Sequence, residues 1–554
     1  MTSPSAESRP VDDPAREDPD QDGALLDAVV VGAGFAGIYA LHRLRRLGMR
    51  VEVLEAGDGV GGTWHWNRYP GARVDVESLL YSYSFSPELQ QEWRWLHRYA
   101  PQAELQQYAD HVVDRFGLRE HITLNARVVA ANYDAGENTW TVTTEGGLTR
   151  RARYLVAALG SLSIVNTPSI PGLDDFDGLT LHTSQWPEEP VALRGKRVGV
   201  IGTGSTGIQL ITAIAPEVEH LHVFQRTPNF SLPITNAPMD PEYERGFKQD
   251  YGDRVEAARQ SSGGLSAGAP VIRSALDVSE SERQRIYEEA WQAGGAGVLR
   301  AFTDLMTNRE ANETAAEFVR SKIREIVRDP DVAERLSPRG YPIGTKRICM
   351  DTGYFETFNR PNVTLVDVRS DSIVKMTESS LETASDSYPL DVVIFATGFD
   401  AVTGPILNMG VTGPGGTELP PRWENGPRTF LGLATSGFPN LFMVGGPLSL
   451  GVLANGFFAI EQHVDFLANL LEWARERGYG RIEATPEAED GWVRHVAELA
   501  HRTLYPEGPS WYVGANIEGK PRVFMLYSGG FANFRRECEE IARSDYEGFV
   551  FSSS

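Results

Sequence analysis

The chain carries one glycine pattern twice, GAGFAG at Gly32 to Gly37 and GTGSTG at Gly202 to Gly207, 170 residues apart. Each copy follows a short apolar run, Ala28-Val29-Val30-Val31 or Val198-Gly199-Val200-Ile201, of the kind that buried parallel strands show. Each also opens a stretch with apolar residues at helical spacing, IYALHRLRRLG and IQLITAIAPEV. Strand, glycine turn and helix in that order make a Rossmann unit, whose helix aims its first N–H groups at a pyrophosphate. One such pattern alone is a common Gly-rich turn. Two in full context predict an α/β chain with two dinucleotide-binding domains, in which Gly32, Gly34, Gly37, Gly202, Gly204 and Gly207 hold the phosphates.

The residue closing the next strand separates the two nucleotides. Glu55 in VEVLEAG puts a carboxylate where it accepts the ribose hydroxyls of FAD or NAD, whereas Arg226 in HVFQRT puts a guanidinium where NADP carries its 2′-phosphate. A flavin beside NADPH makes an NADPH-reduced flavoprotein.

Bulk properties narrow the class. At 554 residues the chain is too long for one core, and about 150 residues per domain suggests two to four domains. Lys and Arg number 52 against 75 Asp and Glu, a net charge of −23, which argues against nucleic acid or an anionic membrane as partner. The cysteines, Cys349 and Cys538, form no CxxC, so neither a redox pair nor a metal cluster is expected, and the expected compartment is the reducing cytoplasm. A monomer or weak oligomer is expected. Residues 1–26 hold four prolines and seven acids against two arginines and read as a disordered acidic tail without a signal-peptide core. The uncharged stretch Leu441 to Ile460 has the length of a membrane span, but Gly445, Gly446, Pro447, Gly451, Asn455 and Gly456 break it into a strand, a loop and a helix start.

The order of elements implies interleaved domains. Two apolar strands ending in glycine turns, Arg153 to Ser161 and Asp391 to Asp400, are read as the crossings between them. The expected division is 27–160 and 386–554 for the FAD domain and 161–234 and 336–385 for the NADPH domain. The segment 235–335, rich in Glu, Arg and Ala, is expected to be a helical insertion.

In FDGLTLHTSQWP, the residues Phe176, Gly178, His182, Trp186 and Pro187 match FxGxxxHxxxWP, and GGTWHWNRYPGARVD carries Gly62, Trp64, Tyr69, Pro70, Gly71 and Asp75 in a second long motif. On these motifs the chain resembles the type I Baeyer–Villiger monooxygenases, most closely the phenylacetone and steroid monooxygenase branch. The likeness runs from the first fingerprint to WYVGANIEGKPRVFMLYSGG. N-hydroxylating and flavin-containing monooxygenases share the Rossmann units but carry a different linker motif. His182 lies in the linker, where fixing a turn is the commoner role for histidine.

The resemblance implies FAD contacts at Phe35, Glu55, Thr63, Trp64, Asp75, Tyr81 and Val128, with Gly456 also among the cofactor positions. It implies NADP contacts at Thr203, Gly204, Ser205, Thr206, Gln209, Arg226, Thr227, Lys346, Arg347 and Trp511. The implied reaction converts a ketone and O2 to an ester or lactone through a flavin C4a peroxide, which attacks only while deprotonated. Arg347 corresponds to the arginine that keeps the peroxide anionic and stabilises the adduct, and Asp75 to the carboxylate that orients it. The loop YPEGPSWYVGAN with Trp511 reads as a lid over retained NADP+. In GGPLSLGVLANGFF, the apolar Leu448, Leu450, Val452 and Leu453 and the small Gly451 and Gly456 are read as lining a pocket for a bulky neutral ketone; equally, the glycines serve only a turn. Sulfide oxidation fits the same chemistry. An amine N-hydroxylase and a non-catalytic redox sensor stay open as other classes.

Overall fold

The computed structural model describes residues 24–265, 273–449, 451–452 and 454–553. The strand Leu26–Val31 lies inside an eight-stranded sheet, parallel to Val51–Leu54 on one side and Thr149–Ala157 on the other. Ala28 to Val31 are at most 5% exposed, because both faces of the sheet are covered. Ile122–Thr123 extends the sheet beyond Val51–Leu54, and Leu441–Met443 lies parallel to the end of Thr149–Ala157. An antiparallel meander, Val128–Asp134, Thr139–Thr144 and Thr149–Ala157, completes it with Val411–Thr412 at the edge. The helices Phe35–Arg45 and Gly456–Glu476 pack over one face.

The second sheet is parallel throughout, in the order Val363–Asp367, His220–Gln225, Arg197–Ile201, Val392–Phe395, Leu179–His182. Here the expected division needs correction. Val392–Phe395 pairs with Arg197–Ile201, and Leu381 and Leu390 pack with Phe224 and Phe395, so the return to the flavin unit comes after Phe395 rather than at residue 386. An apolar run ending in a glycine turn looks alike in either sheet, and pairing across the fold decides which one it joins. At the other end Leu26 already pairs with Ala152, so the first strand starts one residue inside the expected tail; residues 1–23 lie outside the described residues.

The helical segment is likewise not one body. Helices Pro241–Gln249 and Tyr251–Arg259 place Phe247, Tyr251, Val255 and Ala258 in the flavin-side core. Helices Glu280–Ala293, Arg309–Ile326 and Pro330–Leu336 place Tyr287, Phe318, Val319 and Ile323 in the nucleotide-side core. The chain breaks between the last two where Asp329 caps the N–H groups of Asp331 and Val332 and Pro330 takes the first helical position.

Two connectors join the units side by side. Asp400 N–H donates to Ile164 O at 2.9 Å, Val402 N–H to Ser161 O at 2.9 Å and Asn166 N–H to Gly398 O at 3.0 Å. Among the described residues no helix is long and apolar enough to cross a membrane.

Candidate active site

Both glycine turns are built alike. Gly32 has φ +102° and a Cβ there would stand 2.6 Å from Ala158 O, while a Cβ on Gly37 would overlap the Gly32 carbonyl. In the second turn Gly202 has φ +112°, its Cβ would overlap Ala396 O, and a Cβ on Gly207 would overlap Gly202 O. Gly204 differs, with no atom within 4 Å of the Cβ position, which leaves its backbone open to a phosphate.

Glu55, 5% exposed, accepts from Ala33 N–H at 2.6 Å and Gly57 N–H at 2.7 Å, so it braces the first turn and keeps lone pairs for a ribose hydroxyl. Val128 follows a segment held to the same corner, where Ala126 N–H donates to Glu55 O at 2.7 Å. Thr63 and Trp64 open the short helix Thr63–Trp66; Trp64 Nε1 donates to Tyr81 OH at 3.3 Å, and Phe35 stands edge-on to Tyr81. Gly456 starts the long helix beside Asn455, whose side chain accepts from Phe457 N–H, and no atom lies within 4 Å of its Cβ position. Phe35, Tyr81 and Trp64 thus form one aromatic cluster beside the first glycine turn.

Asp75 and Arg347, 272 residues apart, meet with Nη2 2.5 Å from Oδ2. Buried Val74 and Val76 flank Asp75. Arg347 precedes the strand Cys349–Asp351, which pairs with Ser231–Pro233, and Asn229 Nδ2 reaches both Arg347 O and Cys349 Sγ. The pair therefore spans both units. Asp75 raises the guanidinium's pKa further, so Arg347 keeps its charge at any physiological pH.

On the nucleotide side, Ser205 and Thr206 begin the helix Ser205–Ile214, and Thr203 Oγ1 donates to Thr227 O at 3.3 Å. Arg226 is exposed, and Lys346 lies over the Tyr341 ring at 5.3 Å. Burial, and then Arg226 nearby, lower the Lys346 pKa. Neither cation has an acidic partner among the described residues, an arrangement that suits a phosphate. Gln209 is engaged toward the flavin unit: Tyr69 OH donates to its Oε1 at 2.8 Å and its Nε2 donates to Arg73 O at 3.2 Å. Arg68, inside the second long motif, pairs with Glu188, the residue that follows the linker motif.

Trp511, half-buried, packs against Tyr512 in the middle of the loop 505–516. Gly508 of that loop presses on Thr345, so a Cβ there would stand 2.6 Å from Thr345 O. Tyr512 is a residue that the sequence did not reveal. It is 1% exposed, its hydroxyl has no partner among the described residues, and Arg347 acts on it electrostatically. A buried hydroxyl left without a partner calls for an explanation, and a bound polar ligand is one. In sequence it is only the second aromatic of a Trp-Tyr pair.

Three other positions are now placed. His182 Nδ1 bonds Ser184 at 2.7 Å, its Nε2 lies 3.4 Å from Thr397, and burial lowers its pKa to about 4, so it serves as a neutral brace of the linker. Leu448 is corrected: 4% exposed with φ +70°, it packs into the flavin-side core instead of offering pocket surface. Its backbone is held by Met525 O and by Trp492 Nε1. Leu450 and Leu453 lie outside the described residues.

Residues 26–261 match the family described as pyridine nucleotide-disulphide oxidoreductase. The cysteines, however, are free and buried, and burial pushes the Cys349 thiol up to about 11, so no disulfide chemistry follows. The chain is 42% identical over 542 residues to a phenazine N-monooxygenase of Lysobacter antibioticus, covering 96% of this chain and 98% of the relative. It is 42% identical over 534 residues to a Baeyer–Villiger monooxygenase of Pseudooceanicola batsensis, covering 95% and 96%. An oxidised steroid monooxygenase bound to NADP superposes with a TM-score of 0.91 at 48% identity over 96% of this chain and all of the other. The chain belongs to the Baeyer–Villiger monooxygenase family. Within that family it superposes on a closed cyclohexanone monooxygenase with a TM-score of 0.93, at 44% identity over 96% of this chain and 99% of the other. Against an open structure the TM-score is 0.89, at 43% identity over 96% and 100%.

Proposed function

We propose that this protein is an FAD-containing, NADPH- and O2-dependent monooxygenase that inserts one oxygen atom beside the carbonyl of a bulky neutral ketone. The balance is ketone, O2, NADPH and a proton to ester or lactone, NADP+ and water. The observation that carries the reading is the Asp75–Arg347 pair joining the flavin and nucleotide units. Bound FAD, reduced by hydride from NADPH, supplies the activation of O2. The chain's own residues do the rest. Arg347 offers a permanent positive charge to the oxygen anion that develops as the carbonyl is attacked, and Asp75 aims it. Arg226 and Lys346 receive the 2′-phosphate, and the glycine turns the pyrophosphates. Trp511 and Tyr512 close over retained NADP+ and keep water out.

Relatives solved in closed and open forms support a change of conformation in this chain as well. The lack of a basic surplus and the free cysteines support a cytoplasmic enzyme without nucleic-acid partners.

Because one relative is a phenazine N-monooxygenase, the test panel holds aryl and polycyclic ketones, an aryl sulfide and an aromatic N-heterocycle. Mass spectrometry should find esters from the ketones, and Arg347→Ala should lose them while NADPH still reduces the flavin. N-oxide formation with no ester from any ketone would replace this reading by the N-oxygenase one.

A further inference from the structure

Past Glu55 the chain makes a turn, Gly57 to Gly62, that folds back against the first glycine turn. Gly61 N–H donates to Ala33 O at 2.9 Å, and a Cβ on Gly62 would stand 2.7 Å from Gly34 Cα. At its start Gly57 N–H donates to Glu55 Oε1 at 2.7 Å, while Asn125 N–H donates to Gly57 O at 2.8 Å. The turn therefore touches both the carboxylate read as the ribose acceptor and the glycine backbone read as the phosphate cradle.

This turn rests on the ring of His65, a buried residue of the short helix Thr63–Trp66. A Cβ on Gly57 would stand 3.0 Å from the ring Nε2, and one on Gly59 would stand 2.7 Å from Cε1 and 2.8 Å from Nδ1. Neither Gly57 nor Gly59 has a positive φ, so the backbone does not require glycine at these two positions. The imidazole does, because it fills the space that their side chains would need. The ring is itself held: Asp58 Oδ1 lies 2.9 Å from Nε2, Arg68 Nη2 reaches the two ring nitrogens at 3.3 and 3.2 Å, and Trp66 stands edge-on at 5.2 Å. Arg68 is fixed in turn by donating from Nε to His65 O at 2.5 Å and by its pair with Glu188.

We infer that His65 is a positioning residue for the flavin cofactor: its ring is the bed on which the turn 57–62 is laid against the first glycine turn, and it sets how firmly FAD is held. It acts through Gly57 and Gly59, and the turn carries the contact on to Glu55 and Gly34. Groups that bind a cofactor keep their working geometry only when a second layer of packed side chains backs them. With the ring removed, Gly57 and Gly59 lose that backing. The turn then gains freedom that FAD binding has to freeze out, and the cofactor leaves more readily. The inference rests on FAD occupying the first unit and is independent of which ketone the enzyme oxidises.

FAD release from the loaded enzyme, read as the rise of free-flavin fluorescence after dilution, tests it without ketone turnover. His65→Ala should release FAD about tenfold faster, the scale of a lost preorganisation. His65→Phe keeps a ring and loses the Asp58 contact, so it should release FAD only about two- to threefold faster, the share of one hydrogen bond. Gly59→Ala drives a Cβ into the ring and should speed release about as much as His65→Ala, whereas the same change made on top of His65→Ala should cost about twofold or less, because the space is then free. NADP+ affinity, titrated on the spectrum of the bound flavin, should stay within about twofold in every variant, since the second glycine turn is built from other segments. FAD release unchanged in His65→Ala and in Gly59→Ala would overturn the inference. An equal effect of Gly59→Ala with and without His65 would overturn it as well, and so would NADP+ affinity falling in step with FAD, which would leave His65 an ordinary core residue. If His65→Ala yields no folded enzyme, His65→Phe and Gly59→Ala carry the test. A wild type that makes no ester would sink the proposed function, yet FAD release would still report on His65.

Discussion

Replacing Asp75 by asparagine removes one charge from the pair that spans the two units and nearly keeps its shape. An Asp75 oxygen lies 2.5 Å from Arg347 Nη2, and the side chains are 26 and 31% exposed. Two unit charges about 4 Å apart attract by about 4 kcal/mol at an effective dielectric constant of ~20. Partial exposure lowers that figure, and the asparagine oxygen still accepts a hydrogen bond, so the net loss should be about 1.5–3 kcal/mol, the span of a charge-assisted hydrogen bond. At 1.36 kcal/mol per factor of ten, kcat/KM for a ketone should fall about 10- to 150-fold. Stopped-flow absorbance should show flavin reduction much less affected than ester formation, because hydride transfer needs no stabilised oxygen anion. Gas chromatography of the ester against oxygen consumed completes the assay. An Asp75→Asn enzyme whose ester yield and kcat/KM match the wild type would reduce the pair to an ordinary interdomain ion pair and refute the reasoning.

Arg226→Ala should raise the KM for NADPH far more than that for NADH, since Arg226 is exposed and has no acidic partner among the described residues; an equal rise would remove it from 2′-phosphate recognition. Gly204→Ala, at φ −82° with open space before it, should fold with an unchanged Tm but bind NADPH poorly, whereas Gly207→Ala should destabilise the nucleotide unit itself by overlapping Gly202 O. Asp391 accepts from Arg197 N–H, Nε and Nη2, and these bonds lower its pKa to about 2. Its stabilisation is therefore present above the ordinary carboxylate range and lost as pH falls through about 2, so Asp391→Asn should lower Tm at pH 5 to 7, and the difference should shrink as pH falls from about 4 through 2. Gly456→Phe should cut kcat/KM for polycyclic ketones more than for small ones, because the space beyond Gly456 is open; a uniform loss would leave it a helix-start glycine.

Much of the candidate site is legible in the sequence. A glycine turn between a strand and a helix is a local event, and the residues that fill Gly32, Gly37, Gly202 and Gly207 are those whose Cβ has no room. Glu55 and Arg226 follow at a set distance along the same units, so their charges announced two different nucleotides. The Asp75–Arg347 contact, across 272 residues, was expected only through family likeness, and no periodicity pointed to it. Tertiary structure alone decided which sheet Val392–Phe395 joins and how the helices of 235–335 divide between two cores. It also turned Leu448 inward, left the Tyr512 hydroxyl unpaired and set Lys520 on Asp400. Local pattern reports which face of a strand or helix is apolar, whereas the choice of partner depends on groups brought together from far along the chain. The amino-acid order thus determined the two nucleotide-binding units and the family chemistry; only the packed molecule decided how they are joined, because those contacts exist only between segments that the order leaves far apart.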